Sequence, residues 1–81
     1  MTSQQKLAEL GKTTFDRSDK THHNNYSAED RYAGYSQLVQ DESLSSDDRQ
    51  KALEGMKRAM DELGESAVRT REYADAVMKV S

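Results

Sequence analysis

One spacing pattern constrains this chain more than any other feature. Leu53, Met56, Met60, Leu63, Ala67, Thr70, Ala74 and Val77 recur at alternating intervals of 3 and 4 residues. That is an unbroken a/d heptad register over roughly three and a half heptads, the mark of a helix burying one stripe against another helix. Opposite charges fall one turn apart beside it: Asp47 with Lys51, Glu54 with Arg58, Glu65 with Arg69, and Asp75 with Lys79. The pattern predicts a single helix over about residues 46–80, ~50 Å long at 1.5 Å per residue. Gly64 is the one position where it could instead break into a hairpin of 46–63 and 65–80. The register carried across Gly64 favours the unbroken helix.

A helix of that length exceeds what one small core can cover, so a second copy is expected along the seam Leu53, Met56, Met60, Leu63, Ala67, Ala74 and Val77. Composition points the same way. The chain has 81 residues, enough for one small domain. Its large aliphatic and aromatic stock is 6 Leu, 4 Val and 1 Phe, supplemented by 4 Met and 4 Tyr. So thin a core gives a small domain only a few kcal/mol, and self-association would supply the rest.

Composition also excludes several classes. There is no cysteine, hence no disulfide framework and no thiolate metal site. The absence of proline counts against an ordinary disordered linker. Twelve Lys and Arg stand against 15 Asp and Glu, for a net charge of −3. That balance disfavours general nucleic-acid binding, which calls for a basic surface. The bases Lys51, Lys57, Arg58, Arg69 and Arg71 alternate with acids and form no stripe. Residues 1–6 lack the apolar core of a signal peptide, and no stretch approaches a membrane span, so a cytoplasmic protein is expected.

The rest of the chain reads as all-α with polar connections. A short helix is expected over Gln4–Leu10, capped by Thr2 or Ser3 and ended by Gly11. Residues 11–26 are rich in Thr, Asp, Ser and Asn and predict a polar loop or arm, anchored by Phe15 and Tyr26. A middle helix should begin after the N-cap Ser27, with Glu29 and Asp30 in its first turn. Ala28, Tyr32, Tyr35, Leu38 and Val39 form its apolar face. Ser45 caps the long helix, with Asp48 in the capping-box position. Val68, Tyr73, Met78 and Val80 make a second apolar edge, expected to meet Tyr32 and Tyr35, with a binding surface as the alternative. Two divisions follow: 1–26, a short helix and polar arm, and 27–81, a helical domain.

Motifs with a chemistry attached are weak here. His22-His23 lies near Asp16 and Asp19, but adjacent histidines in a polar loop are usually solvated, and no metal site or cofactor is expected. Gly11-Lys12-Thr13 matches the end of a phosphate-binding loop, but Lys6 stands where its first glycine belongs. Asp41, Ser43, Ser45 and Asp47 alternate like a calcium loop, yet Ser46 and Ala52 occupy the required glycine and acid positions. Asn25-Tyr26-Ser27 matches a glycosylation acceptor without a secretion signal beside it. No nucleophile–base arrangement is visible, and no catalytic residue is expected.

The tyrosines carry more information, because Tyr is enriched at interface hot spots and Met adapts to varied partners. Phe15, Tyr26, Tyr32, Tyr35 and Tyr73 are the candidate partner surface. The expected function is therefore a non-enzymatic protein-binding module, a helical homodimer that serves as an inhibitor, adaptor or regulator. Its size and style are similar to those of small helical proteins of phages and mobile elements, by analogy only. The alternatives are a small dimeric regulator associated with nucleic acid and a structural subunit of a larger assembly.

Overall fold

The structure is a computed structural model describing residues 1–81. Four helices and one two-stranded antiparallel sheet follow in the order α1 (Ser3–Leu10), β1 (Thr13–Asp16), β2 (Thr21–Asn24), α2 (Ala28–Val39), α3 (Ser46–Leu63) and α4 (Ala67–Val80).

Side-chain caps set the helix starts. Thr2 forms a full capping box: its hydroxyl accepts from the Gln5 N–H at 3.1 Å, and the Gln5 side chain accepts from the Thr2 N–H at 2.8 Å. Ser27 and Ser45 accept from Asp30 N–H and Asp48 N–H at 3.1 and 3.2 Å, and Glu29, Asp30, Asp47 and Asp48 complement the helix dipoles. Gly11 ends α1 as expected.

The expected continuous helix is broken. Gly64 sits at φ 88°, ψ 154°, a region that essentially only glycine occupies. Ser66 then caps α4 by accepting from the Arg69 N–H at 3.2 Å, and the Arg69 guanidinium donates back to the Gly64 carbonyl at 3.0 Å. The reason is burial. Folded back, α4 places Ala76 in the core with Tyr73, Val77 and Val80 packed against it. A straight helix would leave those side chains uncovered within one chain.

The core forms where α2 crosses α3. Tyr35, Leu38 and Val39 pack with Ala52, Leu53 and Met56, and Leu10, Leu44 and Ala76 close the cluster. Two glycines permit the close approach. A Cβ on Gly55 would lie 2.5 Å from the Tyr35 ring, and one on Gly34 would lie 2.7 Å from a Leu10 methyl. Leu10 thus ties α1 into the core of residues 28–80, whereas the division at residue 26 grouped α1 with the arm.

The seam residues are divided by this packing. Leu53, Met56 and Met60 are buried inside the single chain, with α2 covering the place reserved above for a second copy. Leu63 and Val77 are half-buried, and Ala67, Thr70 and Ala74 are exposed. The four expected ion pairs are not formed. Lys51 pairs instead with Asp48 at 4.0 Å, and Lys57 with Asp61 at 2.7 Å. Exposed pairs of either kind contribute little, so the exchange leaves the fold unaffected.

One ion pair does hold elements together. The buried Arg31 on α2 donates to both carboxylate oxygens of Glu62 on α3, at 2.6 and 2.8 Å, and its Nε donates to the Tyr26 carbonyl at 3.1 Å. The Arg31 hydrogen bonds hold the Glu62 carboxyl below the usual carboxylate range, against the opposing effect of partial burial. Glu62→Ala is expected to cost about 1–2 kcal/mol. The figure is at the low end for a group abandoned by its charged partner, because water reaches the Glu62 side. The folded-state pKa is depressed, so this stabilisation is complete above the unfolded-state value, near 4.5. It is lost as pH falls through the lower folded-state value. Urea midpoints of the two proteins should differ at neutral pH and converge on acidification.

Candidate functional site

Residues 11–26 do not form a structureless arm. Thr13–Asp16 and Thr21–Asn24 pair antiparallel, with Thr13 opposite Asn24, Thr14 opposite His23, Phe15 opposite His22 and Asp16 opposite Thr21. The physical reason lies in the side chains read above as loop formers. Three of the eight strand residues are Thr, whose branched Cβ suits a strand. The turn is built by Asp rather than by glycine. Asp16 accepts from the Ser18 N–H and hydroxyl at 2.9 and 2.6 Å, and Asp19 accepts from those of Thr21 at 3.1 and 2.7 Å. Lys20 takes the left-handed conformation, φ 57°. At the base, the Asn25 N–H donates to the Lys12 carbonyl at 3.0 Å.

The hairpin stands clear of the helices. No strand residue has its Cα within 8 Å of a helix residue's Cα. Because the sheet has only two strands, each keeps one unpaired backbone edge. Opposite pairs share a face, and successive pairs alternate faces. One face therefore carries Thr13, Phe15, His22 and Asn24, where the Phe15 and His22 rings meet at 5.1 Å between centroids. Phe15 remains 49% exposed.

The other face carries Thr14, Asp16, Thr21 and His23. His23 Nε2 lies 2.9 Å from an Asp19 carboxylate oxygen and 3.8 Å from one of Asp16. The Ser18 hydroxyl lowers the pKa of Asp16, and the Thr21 hydroxyl followed by His23 lowers that of Asp19. Ligand atoms of Asp16, Asp19 and His23 all fall within 4.8 Å of one another. Hydrogen bonding within the turn accounts for this arrangement by itself.

The tyrosines part ways. Tyr35 is buried against Gly55 and belongs to the core. Tyr26, Tyr32 and Tyr73 are half-buried against that core. The Tyr32 hydroxyl donates to Glu72 on α4 at 3.0 Å; burial, then that hydrogen bond, pushes its pKa up to about 12. Of the second apolar edge, Tyr73 and Val80 turn inward, while Val68 and Met78 are 68% and 76% exposed. Phe15 is thus the one member of the candidate partner surface that stands in the open.

The largest cleft, about 540 Å³, lies between α1 and α3, with Leu7, Ala8, Gly11 and Tyr35 among its walls. Its rim sets Lys12, Lys51 and Arg58 against Asp48 and Glu54, a mixed field with no single preferred charge. No helix is long and apolar enough to cross a membrane. Arg31, Glu62 and Gly55 escaped the sequence reading. Only Gly55, a glycine inside a strongly helical stretch, carried a signal that could have exposed it. No family model matches the chain, and neither a curated protein nor a solved structure matches it.

Proposed function

We propose that the chain is a non-enzymatic protein-binding module that presents the Thr13–Asn24 hairpin to a protein partner, acting stoichiometrically as an inhibitor, adaptor or regulator. The carrying observation is the hairpin's isolation: two strands, two free backbone edges and an exposed Phe15, with no helix packed against either face. A two-stranded hairpin alone in water is marginal, and three strands or a packed face are what stabilise it. A partner strand added to either edge would supply main-chain hydrogen bonds, and a pocket for Phe15 would supply specificity. The helical body then serves as a rigid base.

The test is affinity capture from the source organism's extract, followed by titration of the captured protein against purified chain. Phe15→Ala and a chain with 13–24 replaced by a short Gly/Ser turn serve as comparisons. A saturable 1:1 complex is expected, weakened about tenfold or more by Phe15→Ala, as for an aromatic hot spot. Equal binding by the hairpin-less chain would overturn the proposal. Retention of nucleic acid alone, lost with rising salt, would point to the regulator alternative.

A further inference from the structure

We infer that the outer face of α4 is a self-complementary docking surface for a second copy of this chain, joined antiparallel about a two-fold axis at the level of Tyr73. The inner face of α4 is spent on the core through Tyr73, Ala76, Val77 and Val80. The opposite face carries Val68, Arg71, Ala74, Asp75, Met78 and Lys79, with Ala67 at its start, all exposed. Val68 and Met78 are two of the four exposed large apolar residues in the chain.

The order of these residues identifies the occupant. Laid antiparallel against its own copy, the stripe places Val68 on Met78 and Arg71 on Asp75, and the axis repeats both contacts. Two pairs equidistant from Tyr73 are complementary: Val68 with Met78, apolar with apolar, and Arg71 with Asp75, cation with anion. A two-fold interface requires such self-complementarity of a single patch. In the parallel direction at the same level, Arg71 would instead face Arg71, and Asp75 would face Asp75. Neither residue is engaged in an ion pair within its own chain. Ala67 and Ala74 keep the surface low enough for close approach of the two backbones.

A 14-residue helix spans about 20 Å, so this contact lies at the small end of specific interfaces. A dissociation constant on the order of 0.1 mM is expected. The inference does not rest on the hairpin reading, since no residue is shared.

Sedimentation equilibrium of the full chain from about 0.01 to about 2 mM brackets that constant. Wild type should pass from monomer to dimer over the range. Arg71→Asp places acids opposite acids, and Asp75→Arg places bases opposite bases. Each alone should weaken dimerisation about tenfold or more, because like charges set face to face oppose association. An equimolar mixture of the two should form a heterodimer, since both facing pairs become opposite in charge again. The double variant should dimerise like wild type. Unchanged circular dichroism of the variants separates the effect from misfolding. A monomeric wild type across the whole range overturns the inference, as does dimerisation unaffected by the single substitutions or a mixture that fails to associate.

Discussion

Met56→Asp is expected to abolish the fold, equally at every protein concentration. The Met56 side chain is 1% exposed, within a cluster that includes Tyr35, Leu38, Val39 and Leu53. The cluster is built of apolar and tyrosine side chains, so a carboxylate there would have to protonate, take in water or unfold the helices. Placing an unpaired charge in such a site costs several kcal/mol or more. A domain of this length has a total stability of roughly 4–12 kcal/mol, and a thin core puts it toward the lower end. The two readings of the heptad stripe part at this residue. A stripe buried between copies would yield a variant that dissociates and regains helix on concentration. A stripe buried under α2 yields one whose helical circular dichroism is lost regardless of concentration. Retention of a helical monomer by Met56→Asp would refute the packing of α2 on α3.

Gly55→Ala should destabilise the protein, although in an ordinary exposed helix interior the same change stabilises by about 1 kcal/mol. The added methyl would lie 2.5–2.7 Å from three atoms of the Tyr35 ring, at contact distances that real side chains do not tolerate. The ring is buried between the two helices, so it must be displaced toward the cleft beside α1 or α2 and α3 must separate. Overpacking of this kind costs about 1–3 kcal/mol, which outweighs the helix-propensity gain at the upper end of that range. A fall in melting temperature of several degrees is the expected reading for a domain of this size. Shortening the ring should relieve the clash: Gly55→Ala with Tyr35→Leu should be less damaging than the two single effects added together. A stabilising Gly55→Ala would show that Tyr35 does not lie on α3.

These two residues also show what could and could not be read from the sequence. Thr2, Ser27, Ser45 and Gly11 act locally, each on backbone within a turn of itself, so the helix termini they set were legible. The apolar stripe was legible as a stripe, but its cover was not. Nothing in the spacing of Leu53, Met56 and Met60 distinguishes a second copy from α2 of the same chain. The register across Gly64 misled for a related reason. Two helices facing one core each need an apolar stripe, and the phase between them can match a heptad without any continuous helix. The hairpin escaped because its turn relies on the side chains of Asp16 and Asp19 rather than on an Asn-Gly pair. Its strands, lying against nothing, show no alternation of apolar and polar residues. Phe15 was singled out as an anchor of the arm, and it is the candidate-surface residue left open to solvent; Tyr35 was singled out too, and it closes the core.

The chain enters and leaves the hairpin through one hydrogen-bonded pair, Lys12 and Asn25. That makes the twelve residues between them a cassette rather than a part of the scaffold. Lengthening or shortening such an excursion changes the entropy of closing it only logarithmically and removes no side chain from the core. The helical body and the arm can therefore accept substitutions under separate constraints. In the body, a change is judged by whether the protein folds. In the arm, it is judged only by what the arm touches, which leaves that segment free to change its recognition without the fold having to follow.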